Sequence, residues 1–167
     1  MSARAANLLG AHALVVADRM REAAGMELSS AAVLTCLQTF ADGASIDALR
    51  RVLGLSHSGG VRIVKRLQAE GLVTREPDPT DARAVRLHLT RAGEREARRL
   101  LAARQAALTP LLAGLGQRES AALEGLLERL LASVTDSGDD ANRICRLCDP
   151  EVCGHPARCP VTQAVLA

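Results

Sequence analysis

The sequence predicts a mainly α-helical fold: a winged helix-turn-helix with a two-stranded β-wing, long N- and C-terminal helices at a dimer interface, and a small C-terminal cysteine-rich module. Three observations lead to this prediction. Two short helical segments are joined by a glycine-containing turn, two alternating segments follow them, and four of the five cysteines lie in the last 23 residues. The 167 residues are 48% apolar and 24% charged, which suits one compact domain with an appendage.

The first helix is predicted from residue 2 to about residue 24. Leu9, Ala13, Val16 and Met20 recur at helical spacing and form one apolar stripe. Polar side chains interrupt the apolar residues, so the segment does not resemble a secretory signal. No apolar run approaches the roughly 20 residues that a membrane-spanning helix needs. We therefore expect a cytoplasmic protein with no membrane partner, in which clustered cysteines favour metal binding over disulfides.

Serine residues mark the starts of the next three helices, because their hydroxyls can cap free backbone N–H groups. The predicted helices run from a cap at Ser29-Ser30 to about residue 40, from a cap at Ser45 to residue 53, and from a cap at Ser56 to about residue 69. A short turn at Gly54 joins the last two. Two short helices with this connection indicate a helix-turn-helix.

The strand signal lies directly after these helices. Residues 72–75 read Leu-Val-Thr-Arg and contain two β-branched residues. Residues 76–81 are rich in turn formers, and Val85, Leu87 and Leu89 then alternate with polar residues. This pattern predicts a hairpin with one apolar face. A two-stranded hairpin attached to a helix-turn-helix is a wing.

Two longer helices are predicted to complete the domain, at residues 90–112 and 117–134. The second carries an apolar stripe at three-four spacing, made of Leu123, Leu126, Leu127, Leu130, Leu131 and Val134. With the first helix it presents more apolar surface than a monomer leaves in water, which indicates a homodimer. The chain is predicted to have three divisions: a winged-helix domain at 1–134, a linker at 135–144 and a cysteine-rich tail at 145–167. Within the winged-helix domain, residues 2–24 and 91–134 are expected to form the dimer, and residues 30–90 are expected to bind DNA.

The charge is concentrated in the middle of the chain. Residues 45–105 hold 13 basic and 7 acidic side chains, although the whole chain has a net charge of only +2. Residues 50–66 contain five basic side chains and no acidic one. Such a run indicates a polyanion contact or, alternatively, an ordinary solvated helix face. Phe40 is the only aromatic residue, which excludes recognition by base stacking.

One segment resembles a known family. Residues 53–94 read LGLSHSGGVRIVKRLQAEGLVTREPDPTDARAVRLHLTRAGE. The string DPTDAR followed by LHLT and a glycine is similar to the DPxDxR…LxLTxxG wing of the multiple-antibiotic-resistance regulator (MarR) family of bacterial transcriptional regulators. The resemblance implies a homodimeric regulator, usually a repressor, that binds a pseudo-palindromic double-stranded DNA operator and responds to a small-molecule effector or an oxidant. We expect no enzyme activity, because no catalytic arrangement is recognisable.

The resemblance also implies which residues contact DNA. On the recognition helix, the residues expected to face DNA are Ser56, His57, Ser58, Gly59, Arg62, Lys65 and Arg66, while Val61, Val64 and Leu67 face inward. Arg62 fits base reading, and Lys65 and Arg66 fit phosphate contacts. In the wing, Arg83 matches the family's minor-groove arginine and Asp81 is placed to orient it. Gly59-Gly60 departs from the family pattern, and would either allow close approach to DNA or fray the first turn.

The tail contains Cys145, Cys148, Cys153 and Cys159 in the spacing Cys-x2-Cys-x4-Cys-x5-Cys. Four thiolates complete a tetrahedral zinc site, and a metal would stabilise a segment too small for its own core. The alternatives are an iron–sulfur cluster, since Cys159-Pro160 resembles the end of some ferredoxin motifs, a metal-free thiol switch, or a disordered tail. With an iron–sulfur cluster the protein would be a redox-sensing regulator or, with less support, an electron-transfer protein.

Two further side chains have chemistry that suits metal binding or redox reactions. His155 could replace one thiolate as a ligand, although an ordinary loop histidine is the favoured interpretation. Cys36 lies between leucines in the second helix and is interpreted as a packing residue. Once a metal holds its four cysteines together, the tail is expected to pack near the end of the last core helix, because the linker before it is short.

Overall fold

The computed structural model describes residues 2–78 and 85–166, and it has the predicted winged helix-turn-helix architecture. In chain order the elements are α1 (Ala3–Ala24), α2 (Leu28–Thr39), α3 (Ile46–Leu53), α4 (His57–Ala69), β1 (Val73–Pro77), β2 (Val85–Leu89), α5 (Arg91–Leu108), a 3-10 turn (Thr109–Leu112), α6 (Gln117–Ala132), α7 (Gly138–Cys145), α8 (Pro150–Cys153) and α9 (Pro160–Leu166). The mainly α-helical fold class is therefore confirmed.

Local capping chemistry explains most of the helix starts. The hydroxyls of Ser45 and Ser56 accept hydrogen bonds from Ala48 N and Gly59 N, as the sequence predicted. The second helix differs from the prediction. Its N-cap is Glu27, and no side chain caps it, so Ser29-Ser30 lies inside the first turn instead of before it.

The wing is an antiparallel pair in which Val73 faces Leu89 and Pro77 faces Val85. Leu87, at the centre of β2, is fully buried. Its backbone also exchanges hydrogen bonds with the segment before α3, from Gly43 N to Leu87 O and from Leu87 N to Ala44 O, each 3.1 Å long. The base of the wing is thus fixed to the helix-turn-helix. Asp81 and Arg83, which were expected at the wing tip, lie outside the described residues.

A close backbone approach joins the wing to α5. Thr90 caps α5, because its hydroxyl accepts a hydrogen bond from Gly93 N at 3.0 Å and donates one to Gly71 O at 2.7 Å. Gly93 then passes against the backbone of Leu72. A Cβ on Gly93 would lie 2.0 Å from the Leu72 carbonyl oxygen. The junction therefore requires a residue without a side chain at position 93.

The core surrounds α2 and is closed by α4, the wing and α5. Leu34 of α2, Leu67 of α4 and Leu87 of β2 are fully buried at its centre, and Ala97 and Leu100 of α5 cover one side. α2 contacts both α3 and the recognition helix α4, so its packing bears directly on the helix-turn-helix.

The first and last long helices leave apolar surface exposed. On α1 this surface comprises Leu8, Leu9, Leu14 and Val15. At α6 it comprises Leu126, Leu127, Leu130, Leu131 and Val134, and the residues of this second set are 37% to 59% exposed. Within the chain, α1 packs on α5, whereas the main neighbour of α6 is α9. Among the described helices, none has the length and apolarity to cross a membrane.

The region after α6, which the sequence predicted to be a linker and a cysteine-rich tail, contains the short helices α7, α8 and α9. Residues 135–144 were expected to form a polar linker, but most of this stretch belongs to α7, whose N-cap Ser137 accepts a hydrogen bond from Asp140 N. α7 packs against α3, and α9 packs along α6. The module therefore meets the last long helix, as expected, but it also reaches the helix-turn-helix.

Candidate nucleic-acid interface and cysteine module

The recognition helix α4 has a buried face and an outward face. Ile63, Val64 and Leu67 are buried, whereas Val61, which was expected to face inward, is only partly buried. On the other side Arg62 and Lys65 are exposed and make no hydrogen bond or ion pair with any residue that the structure describes. Both cations are therefore available to an external anion.

The two glycines near the start of α4 are both buried, with different neighbours. Gly60 packs against α3, because a Cβ there would lie 3.1 Å from Cβ of Arg50 and 3.4 Å from Cγ2 of Ile46. Gly59, expected to face DNA, instead lies over the capping hydroxyl of Ser56, 3.2 Å from the position of an added Cβ. Gly60 thus permits close packing of the two helices, which neither of the two interpretations from sequence included.

Two other predicted contact residues are held by side chains of the protein. Arg66 donates hydrogen bonds to the Glu27 carboxylate and, at 2.9 Å, to Ser30 Oγ, so it connects α4 to the start of α2. Hydrogen bonds from Ser29 and Arg66 lower the pKa of Glu27, which keeps this carboxylate charged. His57 Nδ1 lies 3.3 Å from Asp47 Oδ1 on α3. Arg66 therefore positions the recognition helix as well as adding charge.

The structure brings the four tail cysteines together. Cys148 N donates a 2.8 Å hydrogen bond to Cys145 O, so these two residues share one turn. The thiol of Cys145 interacts with that of Cys159, and the thiol of Cys153 interacts with those of Cys148 and Cys159. Across residues 2–78 and 85–166, no three Cys, His, Asp or Glu side chains have the arrangement of a complete metal site. The segment thus gathers four thiols without a preformed coordination geometry.

The thiols differ in acidity. Burial, reinforced by neighbouring thiols, raises the pKa of Cys145 and of Cys153 to about 12, and burial also raises the pKa of Cys148. For Cys159, burial opposes ionisation, but hydrogen bonds with Thr162 and neighbouring groups lower the pKa below its usual value. The protein alone therefore does not hold all four groups as thiolates.

A buried cation lies beside the cluster. The Arg104 guanidinium of α5 is close enough to Cys148 to favour its thiolate, although burial still dominates the pKa of that thiol. The Nε atom of Arg104 is buried and has no hydrogen-bond partner among the described residues. A donor left in this state is costly, because it has lost its water without gaining an acceptor. A thiolate at Cys148 would supply an acceptor and a counter-charge.

The His155 ring makes two contacts. Its Nδ1 lies 2.9 Å from Thr162 Oγ1, and its ring packs edge-on against Phe40 with 5.5 Å between the ring centres. The aromatic contact attaches the module to the end of α2. These contacts suit the loop and packing interpretation of His155, and a hydrogen bond at Nδ1 is also compatible with the ligand alternative through Nε2.

The Cys145–Cys148 turn is itself attached to α2. The carbonyl oxygen of Arg146 accepts hydrogen bonds from Thr35 Oγ1 at 2.7 Å and from Cys36 Sγ at 3.4 Å. Cys36 is buried, and burial raises its pKa to about 11, as suits the packing residue that the sequence predicted. Leu147, the next residue of the turn, packs against the core. Sequence reasoning missed these contacts, because no local pattern links residues more than 100 positions apart.

Comparison with known proteins gives consistent results. A sequence model of the MarR family matches residues 24–84. A protein of Thauera aromatica, named as a candidate transcriptional regulatory protein for the hcr operon, is 34% identical over 100 residues, which cover 60% of this chain and 59% of that protein. The chain thus spans about three fifths of the length of this curated relative.

Two solved structures extend the similarity to the fold. The transcriptional regulator Tm0710 of Thermotoga maritima aligns with a TM-score of 0.60 at 26% identity, over 77% of this chain and 92% of its own. CouR of Rhodococcus jostii RHA1, solved bound to p-coumaroyl-CoA, aligns with a TM-score of 0.59 at 25% identity, over 74% and 88%. Together, these comparisons show that residues 24–84 are similar in sequence to the MarR family and that about three quarters of the chain shares the fold of solved transcriptional regulators.

Proposed function

We propose that the protein is a sequence-specific DNA-binding transcriptional regulator that acts as a homodimer on a pseudo-palindromic operator. The observation that carries the proposal is the outward face of α4, where Arg62 and Lys65 are exposed and unpaired among the described residues. Arg62 would read a guanine edge in the major groove, and Lys65 would contact a phosphate. In the wing, Arg83 would enter the adjacent minor groove, with Asp81 orienting it, as the family resemblance implies.

The second copy of the chain is the proposed partner of α1 and α6. The leucines of α6 form one exposed face, and among the elements that the structure describes, α9 is the main neighbour of this helix. Contiguous apolar surface of this kind is characteristic of subunit interfaces. A two-fold axis at this interface would place the two copies of α4 about one helical turn of DNA apart.

The DNA-binding proposal is tested with a duplex selected from a random library by the zinc-loaded protein. Arg62→Ala should lose discrimination between the selected and a scrambled duplex, by roughly 1–3 kcal/mol. Lys65→Ala should weaken binding to both duplexes and reduce the salt dependence by about one counterion. Fluorescence anisotropy at several salt concentrations measures both effects. Arg118→Ala, on α6, is the matched control and should bind as wild type; wild-type behaviour of both α4 variants would reject this surface.

We further propose that the protein is a repressor, on the basis of the family resemblance. A promoter containing the selected duplex and fused to a reporter should be less active when the protein is present. Higher reporter activity in its presence would instead identify an activator.

We also propose that Cys145, Cys148, Cys153 and Cys159 bind one zinc ion. The proximity of the four thiols, their common burial and the unpartnered Arg104 Nε support a site that becomes complete when an ion binds and the thiols ionise. Zinc would supply the charge that stabilises four thiolates. Iron with visible absorption in anaerobically purified protein would replace this proposal with the iron–sulfur alternative.

Replacing one ligand should remove the ion. Cys148→Ser is expected to lower zinc content from one ion per chain to a trace and to lower the thermal midpoint, because the remaining groups cannot close the coordination shell. Elemental analysis and thermal denaturation measure the two effects. Cys36→Ala removes the fifth thiol and should retain the zinc. Equal zinc content in Cys148→Ser and wild type would exclude this ligand set.

A further inference from the structure

The cysteine module contacts three separate helices of the rest of the protein. α9 packs along α6, the helix with the largest exposed apolar face, and α7 packs on α3, the first helix of the helix-turn-helix. Between them, the turn from Cys145 to Cys148 lies on α2. A single short segment thus bridges the proposed dimer interface and the DNA-binding helices.

The two residues between the first pair of cysteines make the contacts with α2. Leu147 enters a cleft whose walls come from α1, α2 and α5, and include Met20, Leu28 and Leu100. With Leu147 in place, the cleft has room for little more than a water molecule. Leu147 is therefore one of the side chains that close this space against the core.

The neighbouring contact is polar and buried. Thr35 is buried within α2, and its hydroxyl donates to the Arg146 carbonyl oxygen at 2.7 Å while also lying 3.0 Å from Ala31 O. Withdrawal of the turn would expose Thr35 and open the apolar cleft beside it. The position of residues 146 and 147 therefore affects the packing of α2 directly.

We propose that zinc occupancy of the four-cysteine module sets the affinity of the protein for its operator. The ion holds the Cys145–Cys148 turn closed, which keeps Leu147 in the cleft and Arg146 on Thr35, and this fixes α2 and α3 relative to α6. When the ion leaves, the turn is no longer held closed and the contacts of Arg146 and Leu147 with α2 are lost. The inference rests on the proposed DNA-binding function and adds its regulation.

Zinc is expected to strengthen operator binding, because it would fix the separation of the two recognition helices before DNA binds. In the zinc-loaded dimer, the two recognition helices already have a fixed separation, so binding to two half-sites costs little ordering. In the metal-free dimer this separation is not fixed, and DNA must impose it. We expect removal of zinc to weaken operator binding about tenfold or more, a normal magnitude for coupling between two sites.

The primary test uses the full-length protein and the selected duplex described above. Affinity is measured for zinc-loaded protein, for protein treated with a chelator under reducing conditions, and for the same protein after zinc is restored. Light scattering shows whether dimer content is equal, and elemental analysis gives the zinc content. We expect weaker binding without zinc at equal dimer content, and recovery when zinc is restored.

A variant separates coupling from metal binding. Leu147→Ala retains all four cysteines and should still bind one zinc ion, but zinc should then change its operator affinity threefold or less, because the side chain that fills the cleft is missing. Leu166→Ala removes the same atoms from an exposed position and should keep the full effect. If Leu147→Ala does not fold, Thr35→Val provides the second test, since it removes the hydroxyl contact at almost constant volume.

The outcomes distinguish this inference from the function on which it rests. If neither zinc-loaded nor metal-free protein selects a duplex, both are overturned; if only metal-free protein does, the coupling alone is overturned. If it selects a duplex that metal-free dimers bind equally well or more tightly, only the coupling is overturned. Retention of the full zinc effect by Leu147→Ala, or by Thr35→Val in its place, would also overturn the coupling through α2.

Discussion

Replacing Gly93 with alanine should destabilise the protein severely, although it adds only one methyl group. The new Cβ would lie 2.0 Å from the Leu72 carbonyl oxygen and 3.0 Å from its carbonyl carbon, and both atoms belong to the backbone. No side-chain rotation relieves such an overlap, so α5 must move away from the wing. The hydrogen bonds of Thr90 would be lost with it. We expect a loss of about 3 kcal/mol or more in the free energy of unfolding, the upper range for overpacking.

Urea denaturation followed by circular dichroism measures this loss. Gly138→Ala is the matched control, because a Cβ at this position meets no atom within 4 Å. Its free energy of unfolding should stay within about 0.5 kcal/mol of wild type. A Gly93→Ala protein with a wild-type denaturation midpoint would contradict the close backbone approach between Leu72 and α5.

Replacing Leu130 with glutamate should separate the proposed dimer. Leu130 lies in the exposed apolar face of α6, and a second copy that covers this face would bury an unpaired carboxylate. This burial costs several kcal/mol, and roughly 3 kcal/mol already raises the dimer dissociation constant by about 100-fold. Loss of the dimer should also abolish tight binding to a two-half-site duplex.

Light scattering over a series of protein concentrations measures the oligomeric state. Arg129→Glu places the same carboxylate at the neighbouring position of α6, outside the leucine stripe, where the side chain is exposed, and should remain dimeric. The interface would be rejected if wild-type protein is monomeric at every concentration, or if Leu130→Glu dimerises as wild type does.

Features controlled by local chemistry were predictable from the sequence. The caps at Ser45, Ser56 and Thr90 depend on residues three positions away, and the alternation around Leu87 identifies the buried face of the wing. The cap of α7 at Ser137 belongs to the same class, although the sequence interpretation treated that segment as a linker. The serine pair does not cap α2, because its hydroxyls form other hydrogen bonds. Ser29 donates to the Glu27 carboxylate, and Ser30 accepts from Arg66.

Features controlled by distant packing were not predictable. Gly60 of α4 is explained by its distance to α3, which no pattern within α4 contains. The spacing of the tail cysteines predicted that they would lie together, but not that Arg146 and Leu147 would contact α2. Such contacts depend on the path of the whole chain, so they become visible only when the fold is known.

The position of Leu147 has a consequence for how the polypeptide folds during synthesis. α2 leaves the ribosome early, yet its cleft is completed by a residue 108 positions after Thr39, the last residue of the helix. Until that residue emerges, this part of the nascent chain lacks one of its apolar neighbours. We therefore expect the folding unit to include residue 147, and a polypeptide ending at residue 134 to be more prone to aggregation.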